Sequence, residues 1–275
     1  MIGAATPLRG VIRRLRRPGQ RLLGLADRWL PNQGSRTRVA ESAAYWTDTS
    51  QPNWAANSHW RDDVGTEWTA IGQEHYERVR ARRSHAAGPP ADPAGSEFGR
   101  VLEWGSGGGA NAVVFAPRSR EFVAADVSAP SLEECRRQVS RATDAPLTTV
   151  LIDSEHPESV LETVAPGSVD LFLCFYVFEL LPSEDYALRI LRLSHELLAP
   201  GGFAEIQVKY RTEARDTRSI TRAYKRNLSN MTTFGIEQFW VAAEQVGYEP
   251  LDVQLVPVNA LDERYAYFGL RKPPS

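Results

Sequence analysis

Cysteine is scarce in this 275-residue chain, where Cys135 and Cys174 are the only two. They lie far apart, with no second Cys or His at close spacing, so the sequence offers neither a disulfide framework nor a zinc or redox dithiol motif. A reducing, cytoplasmic setting without a metal centre is expected. Long apolar runs are missing as well. The longest candidate, residues 169–181, is interrupted by Asp170 and Glu179 and is too short for a bilayer, so no membrane-spanning helix is expected. What is present, 42% hydrophobic and 24% charged residues, is the composition of a globular domain.

The formal charge of −2 conceals an uneven distribution. Residues 1–38 carry nine Arg against one acid, Asp27, and the remainder of the chain has 23 basic and 33 acidic residues. Within this arm Leu8, Val11, Ile12 and Leu15 recur at helical spacing, and Leu22, Leu25, Ala26 and Trp29 repeat the pattern after Pro18-Gly19. A basic amphipathic arm can rest on an anionic membrane surface, touch nucleic acid or serve as a presequence. The favoured reading is a helical extension whose apolar stripe packs on the main body, with peripheral membrane contact as an expectation attached to it.

Residues 39–96 form a second unit. Tyr45, Trp46, Trp54, Trp60, Trp68 and Tyr76 are dense here, and rings of that size need a packing partner, so a helical cap is expected. A linker rich in Pro and Gly, residues 86–96, closes it. From residue 97 the pattern alternates. Strands are predicted at 100–104, 122–126, 148–153, 169–175 and 203–209, and helices at 110–116, 131–141, 157–164 and 182–198. Ser131 and Glu134 stand at capping-box spacing. A helix over 233–246 with Gly247 at its end precedes two strands, 251–256 and 265–270, too close together for a helix between them and so antiparallel. The expected fold is α/β: a doubly wound, Rossmann-like seven-stranded sheet with an antiparallel C-terminal hairpin, plus the N-terminal helical cap.

The most informative stretch is Glu103-Trp104-Gly105-Ser106-Gly107-Gly108-Gly109-Ala110-Asn111, between the first strand and the first helix. Glycines there let the chain turn sharply and let a ligand approach the main chain. Gly105, Gly107 and Ala110 also satisfy the dinucleotide fingerprint, and Asp126 stands where an acid accepts hydrogen bonds from a ribose diol. A nicotinamide oxidoreductase therefore stays open on the glycines alone. Glu103 separates the readings, because a carboxylate beside the loop repels a pyrophosphate and holds an ammonium.

At these residues the chain resembles the class I S-adenosylmethionine-dependent methyltransferases, whose first motif is an acid followed by alternating glycines. The resemblance covers residues 97–275, the third unit. It implies S-adenosyl-L-methionine as cofactor, with Glu103, Gly105, Ser106, Gly107, Gly109, Asp126, Val127, Asp153 and Phe175 as its contacts. The fourth-strand motif around residues 168–182 and the Leu-Leu-Ala-Pro-Gly-Gly turn at 197–202 continue the match. Two departures are visible: Glu179 stands where the family often has His, and Trp104 is bulky for the loop.

Methyl transfer from a sulfonium asks mainly for alignment, with a general base needed only when the acceptor must lose a proton. Catalytic candidates are His59, Glu179 and Tyr210, and substrate contacts are Trp60, Tyr176 and Arg222. Tyr176 is equally readable as a core aromatic and Glu179 as a helix-start carboxylate; His195 reads as structural. Residues 209–226 contain seven basic residues and two acids, with Arg215, Arg218, Arg222 and Arg226 near helical spacing, which suits an acidic group on the acceptor or a solvated lid. The function expected is transfer of a methyl group to a small-molecule acceptor, at oxygen, on a secondary metabolite or sugar. The competing classes are an RNA or protein methyltransferase and a noncatalytic methyltransferase-like binding module. Nucleic acid is the less expected partner, since the Asn/Asp-Pro-Pro-aromatic signature of many base-methylating relatives is replaced by Phe175-Tyr-Val-Phe178.

Overall fold

The computed structural model describes residues 31–48, 65–84, 92–259 and 262–274. In chain order it contains α1 (Ser35–Thr47), α2 (Gly65–Ser84), β1 (Phe98–Trp104), α3 (Ala112–Phe115), β2 (Ser119–Asp126), α4 (Ala129–Ala142) and β3 (Leu147–Leu151). There follow β4 (Val169–Cys174), α5 (Glu184–Leu197), β5 (Leu198–Lys209), α6 (Tyr224–Asn227), α7 (Ile236–Val246), β6 (Glu249–Val258) and β7 (Glu263–Arg271). The seven strands form one sheet in the order β3-β2-β1-β4-β5-β7-β6. Strands β1 to β5 are parallel, and β7 runs antiparallel to both β5 and β6.

Alternation along the central strands sends side chains to two separate cores. Leu102, Phe172 and Ala204 pack with α5 and α7, whereas Val101, Leu171 and Phe203 pack with α2, α3 and α4. Burial of both faces explains why β1 and β4 read as nearly continuous apolar runs. Of the two N-terminal helices, α2 covers a sheet face through Tyr76 and Val79. Helix α1, which begins inside the stretch counted above with the basic arm, lies against α6 and is fixed by buried Arg38, whose Nε donates to Pro182 O at 2.6 Å.

Several local expectations shift. The first turn of α4 is capped by Ser128, whose hydroxyl accepts from Ser131 N at 3.4 Å, because Pro130 favours a helix already under way at that point. Residues 157–162 form a 3₁₀ turn instead of an α-helix. Strand β5 starts at Leu198, earlier than expected, by pairing Leu198 with Val169 across an irregularity in register. The arginines of 209–226 do not share one helical face. Arg215 lies in a 3₁₀ turn at Arg215–Thr217 and Arg226 in the short α6, while Arg218 and Arg222 fall in the loop between them; Ala223 at φ 50°, a left-handed backbone, ends any continuous helix there. Gly247 closes α7 at φ 110°, as its position predicts.

Candidate active site

The strand order reverses between β1 and β4, and the chain leaving those two strands opens a crevice at the carboxyl edge of the sheet. From β1 comes the glycine loop. Gly105 has φ 77°, and a Cβ there would stand 2.3 Å from Val177 Cγ2, so no other residue fits without moving the wall opposite. Gly109, at φ 93°, lies over Cys135, whose Sγ would be 3.0 Å from an added Cβ. From β4 comes Phe175-Tyr176-Val177, with Tyr176 at φ 57° and its N–H donating to Gln207 Oε1 at 2.5 Å. A non-glycine in that conformation costs about 1–3 kcal/mol and persists only where its surroundings hold it.

Two cavities meet at this crevice and share Gly105 and Phe175. The smaller is lined by Ile71, His75, Glu103, Ser106, Gly107, Gly108, Ala110 and Asn111 besides the shared pair. The larger holds about 760 Å³ of space outside protein atoms, its open mouth included. Its floor is Trp104, Asp126, Val127, Ile152 and Ser154, its sides Tyr176, Val177, Leu180 and Tyr186, and its roof Val39, Ser42 and Trp46 of α1 with Tyr224 of α6. The roof is tied together: Trp46 Nε1 donates to Tyr224 Oη at 2.8 Å, and that hydroxyl donates to Leu180 O at 2.6 Å.

Each cavity has its own buried carboxylate. Asp126 accepts from Gly107 N at 2.8 Å and from Ser128 N at 2.9 Å, which staples the glycine loop to the end of β2. Burial raises its pKa, and those backbone donors oppose the rise. Each carboxylate oxygen keeps a second lone pair, so Asp126 can accept from a diol as well. Glu103 accepts from Asn111 Nδ2 at 2.5 Å through Oε1, while Oε2 has no hydrogen-bond partner. Its pKa is pushed up to about 8, first by burial and further by Asp126, with Asn111 opposing. A buried acid with one unsatisfied oxygen on a cavity wall is an unfinished site.

The sequence candidates distribute unevenly. Glu103, Gly105, Ser106, Gly107, Asp126, Val127, Phe175 and Tyr176 line the two cavities, and Gly109 supports the loop from behind. Asp153 does not line either cavity. It is exposed, and its carboxylate accepts from Glu155 N at 2.8 Å, closing its own loop. Glu179 is buried behind the crevice, with a pKa raised to about 7 by burial and held back by Lys209 and Gln207. Tyr210 packs against the α5–α7 core, and Arg222 bonds Asn32 Oδ1 at 2.6 Å. His59 and Trp60 lie outside the described residues. His195 stacks edge-on against Tyr248, as a structural histidine does. Asn111 looks like any helix-start residue and His75 like any lone histidine, so neither stands out in the sequence. Tyr186 and Tyr224 carried no signal at all, because nothing local marks a residue whose role is to close a wall.

The crevice fits a nucleoside bearing a charged amino-acid tail: an acid for a ribose diol at one end, an unsatisfied acid for an ammonium at the other, and a glycine between them that no side chain can replace. Residues 101–202 match the family described as "Methyltransferase domain". No curated protein matches the chain. Among solved structures, it is similar to 1,6-didemethyltoxoflavin-N1-methyltransferase from Burkholderia thailandensis, with bound 1,6-didemethyltoxoflavin and S-adenosylhomocysteine, at 18% identity. That match covers 89% of this chain and 92% of that one, with a TM-score of 0.55. N-methyltransferase NodS from Bradyrhizobium japonicum WM9, in complex with S-adenosylhomocysteine, is 15% identical over 86% of this chain and 98% of its own, with a TM-score of 0.54. A SAM-dependent methyltransferase from Leishmania major is 14% identical over 85% and 82%, with a TM-score of 0.55.

Proposed function

From a chain that carries a methyltransferase domain on the class I fold, we propose S-adenosyl-L-methionine-dependent transfer of a methyl group to a small-molecule acceptor, at oxygen. The observation that carries this reading is the continuous crevice, from buried Glu103 past Gly105 and Phe175 into a chamber closed by Trp46, Tyr186 and Tyr224. A chamber roofed by α1 and α6 suits a small acceptor better than a duplex or a folded protein. Oxygen is favoured because the described residues lining the roofed end include no carboxylate beyond Asp126 to pair with a charged amine.

Bound in the crevice, the cofactor supplies an electrophilic methyl group on a sulfonium. Asp126 holds the ribose hydroxyls, Val127 and Ile152 offer apolar surface to the base, and Glu103 holds the ammonium. Trp104, beneath the chamber, stacks on Phe172 with ring centroids 6.5 Å apart and so is fixed as a floor. The chain's main contribution is to align acceptor and cofactor and to exclude water, an effect that reaches about 7–11 kcal/mol in well-oriented reactions. Tyr176 is held by Tyr267 Oη at 3.0 Å and by Asn259 Nδ2 at 3.1 Å, and its pKa is raised to about 12, so it acts as a neutral hydrogen-bonding wall. His59 remains the proposed base for an acceptor that must lose a proton, and Trp60 a proposed part of the acceptor wall. An acidic acceptor is part of the proposal and rests on the excess of seven basic residues over two acids in 209–226, of which Lys209 pairs with Asp262 and Arg211 with Glu184. Contact of the Arg-rich arm with anionic lipid is proposed separately and is tested by co-sedimentation with phosphatidylserine vesicles.

Calorimetric titration with S-adenosylhomocysteine, with Asp126→Ala as control, tests the cofactor site. Transfer of a labelled methyl group to panels of phenols, carboxylic acids, sugars and RNA then tests the acceptor class. Labelling confined to RNA would reverse the choice between small molecule and nucleic acid.

A further inference from the structure

Under the glycine loop three side chains stand in line. His75 of α2 is buried, and its Nδ1 lies 2.8 Å from Asn111 Oδ1, while the same amide donates from Nδ2 to Glu103 Oε1. An amide oxygen only accepts, so Nδ1 of His75 carries the proton and the line runs one way, from ring N–H through the amide to the carboxylate. The imidazole is clamped by parallel stacking on Phe175, with centroids 3.9 Å apart and planes 7° from parallel. Ile71, His75, Glu103, Asn111 and Phe175 all line the smaller cavity, and Glu103 Oε2 has no hydrogen-bond partner there.

We propose that His75 is a positioning residue for cofactor capture: through Asn111 it fixes Glu103 with Oε1 engaged and Oε2 turned to receive the primary ammonium of the ligand's amino-acid tail, and a proton leaves Glu103 when that tail arrives. This rests on the cofactor reading given above. Without the imidazole N–H the Asn111 amide is free to rotate and to set its oxygen against the carboxylate, which misplaces the acceptor and disfavours its charged form. The groups facing Glu103 are Asp126 from β2, the Cys135 thiol from α4, the Cys174 thiol from β4, and Asn111 and His75. Burial together with Asp126 keeps Glu103 in its acid form near neutrality, with a pKa of about 8. The balance is then a carboxylic acid and an ammonium giving a carboxylate–ammonium pair and one proton to solvent.

The test is calorimetric binding of two ligands at pH 7, in phosphate and in Tris, whose ionisation enthalpies differ. S-adenosylhomocysteine carries the tail; 5′-methylthioadenosine is the same nucleoside without it. The expected result is a buffer-dependent heat for the first, reporting about one released proton, and a buffer-independent heat for the second. His75→Phe keeps the ring and its stack but removes the donor, and is expected to lower affinity for S-adenosylhomocysteine about tenfold while 5′-methylthioadenosine stays within about twofold. His75→Asn places an amide N–H where Nδ1 stood and is expected to restore the lost affinity. A buffer-independent heat for S-adenosylhomocysteine in the wild type, or an equal loss of both ligands in His75→Phe, overturns the proposal. Failure of the wild type to bind either nucleoside overturns the cofactor reading, and this inference with it.

Discussion

At the loop end of the crevice the polar contacts join residues close in sequence: Asn111 to Glu103 across eight positions, Gly107 to Asp126 across 19, His75 to Asn111 across 36. At the roofed end Trp46 meets Tyr224 across 178 positions, Tyr224 N meets Glu41 across 183, and Ala223 N meets Gln33 across 190. The loop end is small and polar, with a carboxylate at its centre; the roofed end is large and aromatic. A short motif suffices for the part proposed to hold a ligand common to many enzymes. The part that would recognise an individual acceptor is assembled from segments that meet only in the finished fold.

Breaking the loop end at Asp126 should have the largest effect. Asp126→Ala removes the proposed ribose acceptor and orphans the N–H groups of Gly107 and Ser128, so S-adenosylhomocysteine binding should weaken by about 1.5–3 kcal/mol and the melting temperature should fall. Calorimetry and thermal melting read the two losses separately. Unchanged binding would move the cofactor away from this loop.

Glu103→Gln should separate the two functions of that acid. In the unfolded chain Glu103 ionises near 4.5, in the fold near 8, so the stability conferred by its acid form is complete below pH 4.5 and is lost as pH rises through 8. The amide escapes that loss. Glu103→Gln should therefore melt higher than the wild type at pH 9 and differ little at pH 5, while binding S-adenosylhomocysteine more weakly at both. In the wild type, affinity for that ligand should rise from pH 6 to pH 9, because the carboxylate proposed to hold the ammonium is formed only as the proton leaves. A pH-independent affinity would contradict this.

The roofed end should respond differently. Tyr224→Phe deletes the hydroxyl that joins Trp46 to Leu180 O, at a cost of about 1 kcal/mol in stability. It should raise KM for the acceptor with little change in affinity for S-adenosylhomocysteine. An equal loss of both would show that the roof also presses on the cofactor. The smallest effect is expected from His195→Ala, far from the crevice: methyl transfer should be unchanged at saturating substrate, and only the packing on Tyr248 and Gly247 should weaken.

The same contrast marks how far the sequence could be read. The sheet and its hairpin edge were legible because they follow from local periodicity and short spacing; the resemblance pointed to Glu103, the glycines and Asp126, which the fold brings to the two cavities and the loop behind them. Asp153, which the resemblance implies as a cofactor contact, stands outside both cavities with its carboxylate accepting from Glu155 N. Arg222 and its neighbours suggested a helix by spacing, and a single left-handed residue, Ala223, divides them. Tyr186 and Tyr224 were invisible because enclosure has no spacing rule.

The union of α1 with α6 also bears on the order in which the protein is made. Helix α1 is synthesised early, but the residues it must grip, 221–224, are added only after most of the sheet. Contacts of such sequence separation form slowly, since the intervening chain must first be organised. During translation the residues of the loop end, the last of them Phe175, are all added before residues 221–224, which tie down the roof.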